Sequence, residues 1–159
     1  MIQILPPRNN RIFWFLVGNP EFVASSRIQG LRIHEKLKKL GYHSVLPYTP
    51  AGIEEEIPYK ISDKKRLKKI FREGDIIALQ KIKNEINIPL FHELRRCGVK
   101  MVLIDCDLPL SPEISKMTDL VICCSKRLSE LYSAEGTRSL YIEDSPEAFS
   151  PSPRDSRKV

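Results

Sequence analysis

Short apolar runs and longer amphipathic stretches alternate along the chain. Ile12 to Val17 form an unbroken apolar run that stops at Gly18, a pattern typical of a strand buried on both faces. From Ser25 to Leu40 the apolar residues recur at mostly helical spacings, and Gly41 follows in the position where glycine most often ends a helix. The first forty residues therefore predict a strand followed by a helix.

The same order of strand and helix repeats towards the end of the chain. Further strands are predicted at Tyr42 to Leu46, Asp75 to Gln80, Lys100 to Ile104, Leu120 to Cys124 and Ser139 to Ile142. Helices are predicted at about Ser62 to Glu73, after Pro89, after Ser111 and at Lys126 to Ala134. This alternation requires right-handed crossovers between parallel strands. The sequence thus predicts an α/β fold, a doubly wound, Rossmann-like parallel sheet of about six strands with helices on both faces.

One domain accounts for most of the chain. Its 159 residues are of ordinary single-domain length. With 42% hydrophobic and 29% charged residues the composition is that of a globular protein, too apolar for a disordered one. Residues 150–159 contain almost nothing to bury. We expect a single Rossmann-like domain over residues 1–149 and a disordered C-terminal tail over residues 150–159.

The cysteines and the lack of a targeting pattern indicate the compartment. Cys97, Cys106, Cys123 and Cys124 do not have the C-x-x-C spacing of a zinc or redox site, and we interpret them as reduced core thiols. No apolar run approaches the ~20 residues that cross a bilayer, and no signal peptide is visible. A cytoplasmic setting is expected.

The net positive charge of the chain favours anionic partners but does not indicate which kind. The chain has 26 Lys+Arg against 20 Asp+Glu, a net charge of +6, which suits phosphates, nucleic acid or acidic lipid. Much of the excess lies between Lys60 and Lys69. This stretch is either a solvated helix face or a docking patch. Carboxylates such as Glu35 and Glu73 interrupt the basic residues, and no nucleic-acid motif is present, so nucleic acid is not an expected partner.

Candidate site residues follow from the predicted fold, because open parallel sheets bind ligands beyond the carboxyl ends of their strands. The first such loop contains Ser25 and Ser26, which open a helix whose amides could hold an anion, and Arg27, which adds a charged donor. Ser26 and Gln29 also have the spacing of an ordinary capping box, so both interpretations stay open. The loops at this edge are Gly18 to Arg27, Gln80 and Lys81, Asp105 to Asp107, and Ser125 to Arg127.

The two carboxylates of Asp105-Cys106-Asp107 also have several interpretations. They could bind a divalent metal, act as nucleophile and acid, or form a turn before Pro109. A haloacid dehalogenase-type phosphatase motif would continue with Gly-Thr, whereas Leu108 and Pro109 follow here. The chain also has no G-x-G-x-x-G fingerprint, P-loop or G-x-S-x-G elbow, so NAD is not expected.

Several short segments together resemble the N-terminal half of GT-B-fold glycosyltransferases related to the glycosyltransferase family four group. That family often has "SSRIR" before its first helix, an aspartate and hydrophobic residues before "Q-K" in its third strand, and "A-D-x-V-x-x-S-S" near its fifth. The resemblance covers approximately residues 10 to 149. The matching segments are Ala24 to Ile28, Gly74 to Lys81, Val102 to Asp107, Thr118 to Ser125 and Tyr141 to Ser145.

This resemblance implies a function and a set of site residues. Such a half mainly binds the acceptor, a saccharide or lipid-linked molecule, while a second domain binds the nucleotide sugar; here a partner subunit would supply it. The implied phosphate contacts are Gly18, Ser25, Ser26 and Arg27; the implied cleft-lining residues are Gln80, Lys81 and Ser125; and Asp105 or Asp107 is the implied catalytic base. No metal and no cofactor are expected, because retaining members of such folds rely on the donor phosphate and basic residues.

The resulting expectation is an acceptor-side glycosyltransferase domain, a fragment or subunit of a split enzyme that is cytoplasmic or peripheral to the inner face of the membrane. The alternative is a non-catalytic Rossmann-like module. It would use the basic helix around Lys64 to Lys69 to dock on a protein partner or an anionic surface.

Overall fold

Six parallel strands form one sheet in the computed structural model, which describes residues 10–54, 57–107 and 112–144. Their order across the sheet is β2-β1-β3-β4-β5-β6, and the predicted doubly wound α/β fold is confirmed. The predicted tail and Ser145 lie outside the described residues. The strands are β1 Ile12–Leu16, β2 Ser44–Val45, β3 Ile76–Gln80, β4 Lys100–Asp105, β5 Leu120–Cys123 and β6 Ser139–Tyr141.

The helices connect these strands. A continuous helical segment, residues 24–39, follows β1 and consists of α1, a π-helical turn at Arg27–Leu31, and α2. Short 3-10 turns at Ile61–Asp63 and Glu85–Asn87 lead into α3 and α4. None of the helices in the described ranges is long and apolar enough to span a membrane. The α-helices are α1 Ala24–Ser26, α2 Arg32–Lys39, α3 Lys64–Ile70, α4 Ile88–Arg96, α5 Pro112–Met117 and α6 Lys126–Ala134.

The two faces of the sheet are covered unequally. Alternate residues of a strand point to opposite faces, so Phe13 and Phe15 join the larger core while Trp14 and Leu16 join the smaller one. The larger core also contains buried residues of α3, α4, α5 and α6, and we call this side the closed face. The other side, which we call the open face, is packed in the described residues by the helical segment 24–39.

The strand order creates a switch point between β1 and β3. From β1 the chain moves outward to β2, and it then returns to the other side of β1 to form β3. The connections that leave β1 and β3 therefore diverge, which opens a crevice at the carboxyl ends of these strands. This crevice is the place where a doubly wound sheet binds its ligand.

The start of the first helix differs from the prediction. The helix begins at Ala24 with Val23 as its N-cap, and no side chain caps it. The capping-box interpretation of Ser26 and Gln29 is wrong, because the Ser26 hydroxyl is buried and bonds to the side chain of Gln80 instead. A contact with a distant strand has replaced the local cap.

Candidate ligand-binding cleft at the carboxyl ends of the strands

A cleft of about 650 Å³ occupies the switch point. Its apolar lining consists of Val17, Val23 and Ile53, which belong to the loops after β1 and β2, together with Ile82 after β3. Its polar lining comes from the loops after β3 and β4, except for Glu54, which follows β2. The polar side chains that line it are Glu54, Lys81, Lys83, Asn84, Asn87 and Asp107.

Gly18 allows the wall of this cleft to form. A Cβ atom on Gly18 would lie 1.9 Å from the carbonyl oxygen of Ile53 and 2.7 Å from Cγ2 of Val23. The neighbouring Asn19 amide donates a 2.7 Å hydrogen bond to the carbonyl of Gly52. The predicted ligand contact at Gly18 therefore lies where two loops meet, and a side chain there would push them apart.

Ser26 and Gln80 join the ends of β1 and β3 below the cleft. The Gln80 side chain is fully buried, and its Oε1 accepts hydrogen bonds from the Ser26 hydroxyl at 3.0 Å and from the Val17 amide at 3.3 Å. Ser26 Oγ in turn accepts a bond from the Gly18 amide at 3.3 Å. The structure thus brings together three predicted site residues from the loop after β1 and the end of β3. Their bonds brace the loop after β1 against β3.

Gly18, Ser26 and Gln80 support the cleft without lining it, and three further predicted contacts also lie outside its lining. Arg27 donates to the carbonyl of Pro20 at 3.0 Å and so braces its own loop. Ser125 is exposed and is the N-cap of α6, where its Oγ accepts a bond from the Leu128 amide. Ser25 is half-buried in α1. Within the described residues, Ser25, Arg27 and Ser125 do not line the cleft.

Lys83, which lines the cleft, belongs to a buried group of charged and polar side chains. Lys83 Nζ lies 2.9 Å and 3.1 Å from the two carboxylate oxygens of Asp105, and the Tyr132 hydroxyl donates to Asp105 at 2.5 Å. Asp105 and Tyr132 are buried, and Lys83 is nearly so. Burial, followed by the hydrogen bond to Asp105, raises the pKa of Tyr132. Tyr132 therefore remains a neutral donor, and the Asp105 carboxylate is held from both sides.

Sequence reasoning missed Lys83 and, as a functional partner, Tyr132. Tyr132 lies within the predicted helix Lys126 to Ala134, and a buried tyrosine hydroxyl normally needs an acceptor. An aspartate at the end of a neighbouring strand was the available candidate. Lys83 was harder to predict from the sequence. Lysine is almost never buried unless it is paired, so an exposed side chain was the ordinary expectation.

A second, more exposed ion pair lies at the edge of the cleft. Lys81 Nζ lies 2.5 Å from Asp107 Oδ2, and the Asp107 side chain is 51% exposed. The hydrogen bond from Lys81 lowers the pKa of Asp107, and the same bond raises the pKa of Lys81. Lys81 has φ of +57°, a left-handed conformation that is uncommon for a residue with a side chain and concentrates at functional sites.

These groups define what the cleft can do chemically. Two ammonium groups, each paired with an aspartate, can attract an anion such as phosphate, while amide and carboxylate groups can exchange hydrogen bonds with hydroxyls. Of the two predicted catalytic carboxylates, Asp107 reaches the cleft, whereas both oxygens of Asp105 are occupied by Lys83, Tyr132 and the Asp107 amide. Asp105 therefore positions Lys83 and the loop after β4.

All four cysteines are free, and burial raises the pKa of Cys106 and of Cys123 to about 11, so both remain protonated at neutral pH. Cys123 is buried, and the other three are half-buried. No three His, Cys, Asp or Glu side chains in the described ranges converge where they could hold a metal ion.

Comparison with known proteins identifies no relative of this chain. No protein-family model matches the chain, and no curated protein matches it. The resemblance to glycosyltransferases therefore stays a prediction.

Proposed function

We propose that the chain is the acceptor-side domain of a glycosyltransferase that receives a sugar from a nucleotide-sugar donor held by a second, donor-binding domain. The observation that carries this proposal is the polar cleft at the switch point of the sheet. There Lys81 and Lys83 lie beside Asn84, Asn87 and Asp107. This position is the usual ligand site of a doubly wound sheet.

The side chains of the cleft suit a saccharide that carries a phosphate. Asparagine amides both donate and accept, as sugar hydroxyls do, and a carboxylate accepts from one or two hydroxyls. Lysine binds phosphate as a point charge. The apolar side at Val17, Val23 and Ile53 can contact the carbon-bound face of a sugar ring or the start of a lipid chain, so the acceptor is a saccharide or a lipid-linked sugar.

Asp107 orients the acceptor hydroxyl in this proposal. Its pKa is lowered by the hydrogen bond from Lys81, so it is ionised at neutral pH and accepts a hydrogen bond. A carboxylate with a lowered pKa is a weak base, whereas efficient proton abstraction requires a pKa near the working pH. Lys81 and Lys83 bind the anionic part of the ligand, and the second domain supplies the donor.

An amide-shift titration of the whole chain tests this assignment. Glucose 1-phosphate and UDP-glucose are the probes, and we expect shifts confined to Val17, residues 81–84 and Asp107. Lys81→Asn removes one cation while keeping a residue type that tolerates positive φ. We expect it to weaken binding about 10-fold, roughly 1.4 kcal/mol.

The matched control is Lys39→Asn, which removes an exposed cation at the end of α2 and should leave the affinity unchanged. Neither probe producing shifts at millimolar concentration contradicts the proposal. Equal weakening by Lys39→Asn also contradicts it, because the effect would then come from net charge and not from the cleft.

We propose docking on an anionic lipid surface as a second function, because α3 displays a dense group of cations. Leu67 is its buried contact, while Lys64, Lys65, Arg66, Lys68 and Lys69 are exposed. Such segments gain about 1 kcal/mol per basic residue near an anionic membrane. We expect the chain to co-sediment with phosphatidylserine vesicles at low salt but not with phosphatidylcholine vesicles. Equal partition between the two vesicle types would refute this function.

A further inference from the structure

The loop after β3 supplies most of the polar lining of the cleft within a few residues. Lys81, Lys83, Asn84 and Asn87 all line it. The Asn87 backbone amide donates a 3.0 Å hydrogen bond to the carbonyl of Asn84, which closes the short 3-10 turn Glu85–Asn87. The two asparagines are therefore neighbours in space, close to the cations that precede them in the sequence.

The Asn84 side chain serves the start of this turn. Its backbone is extended, with φ of −77° and ψ of 126°, and its Oδ1 accepts a 3.1 Å hydrogen bond from the Ile86 amide. This is the ordinary arrangement of an N-cap residue. The Asn84 oxygen is thus engaged with the backbone, while its NH2 group can donate into the cleft.

Asn87 stands at the N-cap position of α4 but does not cap it. It precedes Ile88, the first residue of α4, and its side chain makes no capping hydrogen bond. Its backbone is helical, with φ of −86° and ψ of −9°, because the 3-10 turn leads straight into α4. A capping side chain normally needs an extended backbone to reach the free amides, so the Asn87 amide group does not serve its own helix.

The Asn87 side chain is nearly buried without a partner. Asn87 is 6% exposed, and its amide group makes no hydrogen bond to any residue of the described ranges. Its oxygen and nitrogen are not completely enclosed, and the open space that Asn87 lines is the cleft. Because buried amide groups are almost always hydrogen-bonded, this one is placed to bond to a ligand.

We propose that Asn87 recognises a hydroxyl group beside the anionic group of the ligand, so that the cleft selects hydroxylated phosphate monoesters. This assignment rests on the proposed function, since it assumes that Lys81 and Lys83 bind the phosphate. It adds a specificity-determining residue and a class of ligand to that function.

The chemistry of the amide group selects a hydroxyl. The Asn87 side chain offers one acceptor oxygen and two N–H donors, and a hydroxyl group both donates and accepts. An ionised phosphate oxygen only accepts, so it would leave the Asn87 oxygen unpaired and would face it with like partial charge. The phosphate therefore suits the ammonium groups of Lys81 and Lys83, and the hydroxyl-bearing part of the ligand suits Asn87.

The test compares two phosphate monoesters on the unmodified chain and on Asn87→Ala. Methyl phosphate carries the anion without hydroxyl groups, and glucose 1-phosphate carries both. We expect the unmodified chain to bind glucose 1-phosphate at least about 10-fold more tightly than methyl phosphate. Asn87→Ala should lower that ratio about 5- to 10-fold, the effect of one or two hydrogen bonds. Its affinity for methyl phosphate should stay unchanged, because both cations remain.

Ser125→Ala is the matched control, because Ser125 is an N-cap residue that does cap its helix. Its Oγ accepts a hydrogen bond from the Leu128 amide, and it does not line the cleft. We expect Ser125→Ala to lower the midpoint of urea unfolding and to leave the ratio of the two affinities unchanged. Asn87→Ala should change the ratio more than the midpoint, since it removes no capping bond.

The side-chain NH2 signal of Asn87 gives a second measurement that does not require the variant to fold. Nuclear magnetic resonance of the unmodified chain resolves this signal from the backbone amides. We expect it to shift when glucose 1-phosphate is added and to stay in place when methyl phosphate is added.

Several results would overturn the role of Asn87 while leaving the anion site intact. One is equal affinity of the unmodified chain for the two esters. Another is a folded Asn87→Ala variant that keeps the preference for glucose 1-phosphate, or that binds both esters more weakly by the same factor. A third is an Asn87 signal that responds equally to both esters. Binding of neither ester at millimolar concentration would overturn the proposed function together with the role of Asn87.

Discussion

Two fully buried aspartates stand at opposite ends of the central strands, and they are held in different ways. Asp75 directly precedes β3 at the amino end of the sheet, where Arg11 donates two hydrogen bonds to its carboxylate, at 3.1 Å and 2.6 Å, and the Arg72 amide donates a third. Asp105 ends β4 at the carboxyl end, where Lys83 and Tyr132 hold it. Both carboxylates accept hydrogen bonds from charged partners, but the two cations, Arg11 and Lys83, differ in the other groups that they contact.

The difference lies in the cations. The guanidinium of Arg11 is committed to Asp75 and to the carbonyl of Ile70, as its rigid fork favours. Lys83 contacts Asp105 and also lines the cleft, so its charge lies where a ligand would bind. We infer that the amino-end pair serves stability alone and that the carboxyl-end pair serves stability and binding.

Breaking the amino-end pair should have the largest effect on stability. Arg11→Leu removes the cation that bonds both oxygens of the buried Asp75 carboxylate, and leaves the Arg72 guanidinium 3.7 Å away. Removing one partner of a buried ion pair typically costs about 3–5 kcal/mol. Urea unfolding should show this loss. Arg11→Leu combined with Asp75→Leu should recover part of it, because removing both charges is far less costly than removing one. A loss below about 0.5 kcal/mol in the single variant would contradict the role given to Arg11.

Breaking the carboxyl-end pair should cost somewhat less. Lys83→Met removes the ammonium from Asp105, but the Tyr132 hydroxyl and the Asp107 amide still donate to it. We expect a loss of about 2–3 kcal/mol in urea unfolding, within the range for a charged hydrogen-bonding partner. A loss that exceeds that of Arg11→Leu would reverse the proposed order of the two pairs.

Tyr132→Phe sharpens the comparison within the carboxyl-end group. It removes one hydrogen bond to a buried carboxylate while keeping the aromatic ring in the core, and the expected loss is about 1.5 kcal/mol. Lys83 stays in place, so glucose 1-phosphate should bind Tyr132→Phe as it binds the unmodified chain. A large loss of affinity without loss of stability would mean that Tyr132 itself meets the ligand.

The smallest of the expected effects is the loss of stability at acidic pH, which should depend more on Asp75 at the amino end than on Asp107 at the carboxyl end. Burial would raise the pKa of Asp75, but the hydrogen bonds from Arg11 and Arg72 outweigh it, and the pKa is lowered from 3.8 in the folded state. The stability that Asp75 contributes is therefore present above this value and is lost as the pH falls through the folded-state pKa.

Urea unfolding at a series of acidic pH values checks this prediction. Asp75→Asn should flatten the acid-side slope of stability. Asp107→Asn should flatten it less, because Asp107 is half exposed and solvent screens its pair with Lys81. Equal slopes for the unmodified chain and Asp75→Asn would contradict the lowered pKa.

Most of the fold could be predicted from the sequence because its signals are local. The apolar run that forms β1 and the amphipathic pattern of α6 each lie within one short segment, and the predicted bounds Lys126 to Ala134 are those of the structure. The second strand is shorter than the predicted Tyr42 to Leu46, since only Ser44 and Val45 pair with β1.

The site was less predictable because its contacts join residues far apart in sequence. Ser26 bonds to Gln80, 54 positions away, and the spacing of Ser26 and Gln29 had indicated a local cap instead. Lys83 meets Asp105 across 22 positions. A lysine after a strand is exposed in most proteins, so no local pattern distinguishes a buried cation that lines a cleft.

The central claim is that the carboxyl end of the sheet binds the ligand and the amino end does not. The direct test is to titrate glucose 1-phosphate into the unmodified chain, Lys83→Met and Arg11→Leu by amide shifts, under conditions where all three are folded. We predict that Lys83→Met loses about 10-fold in affinity, roughly 1.4 kcal/mol, while Arg11→Leu binds like the unmodified chain. Equal affinities in the three proteins would contradict it.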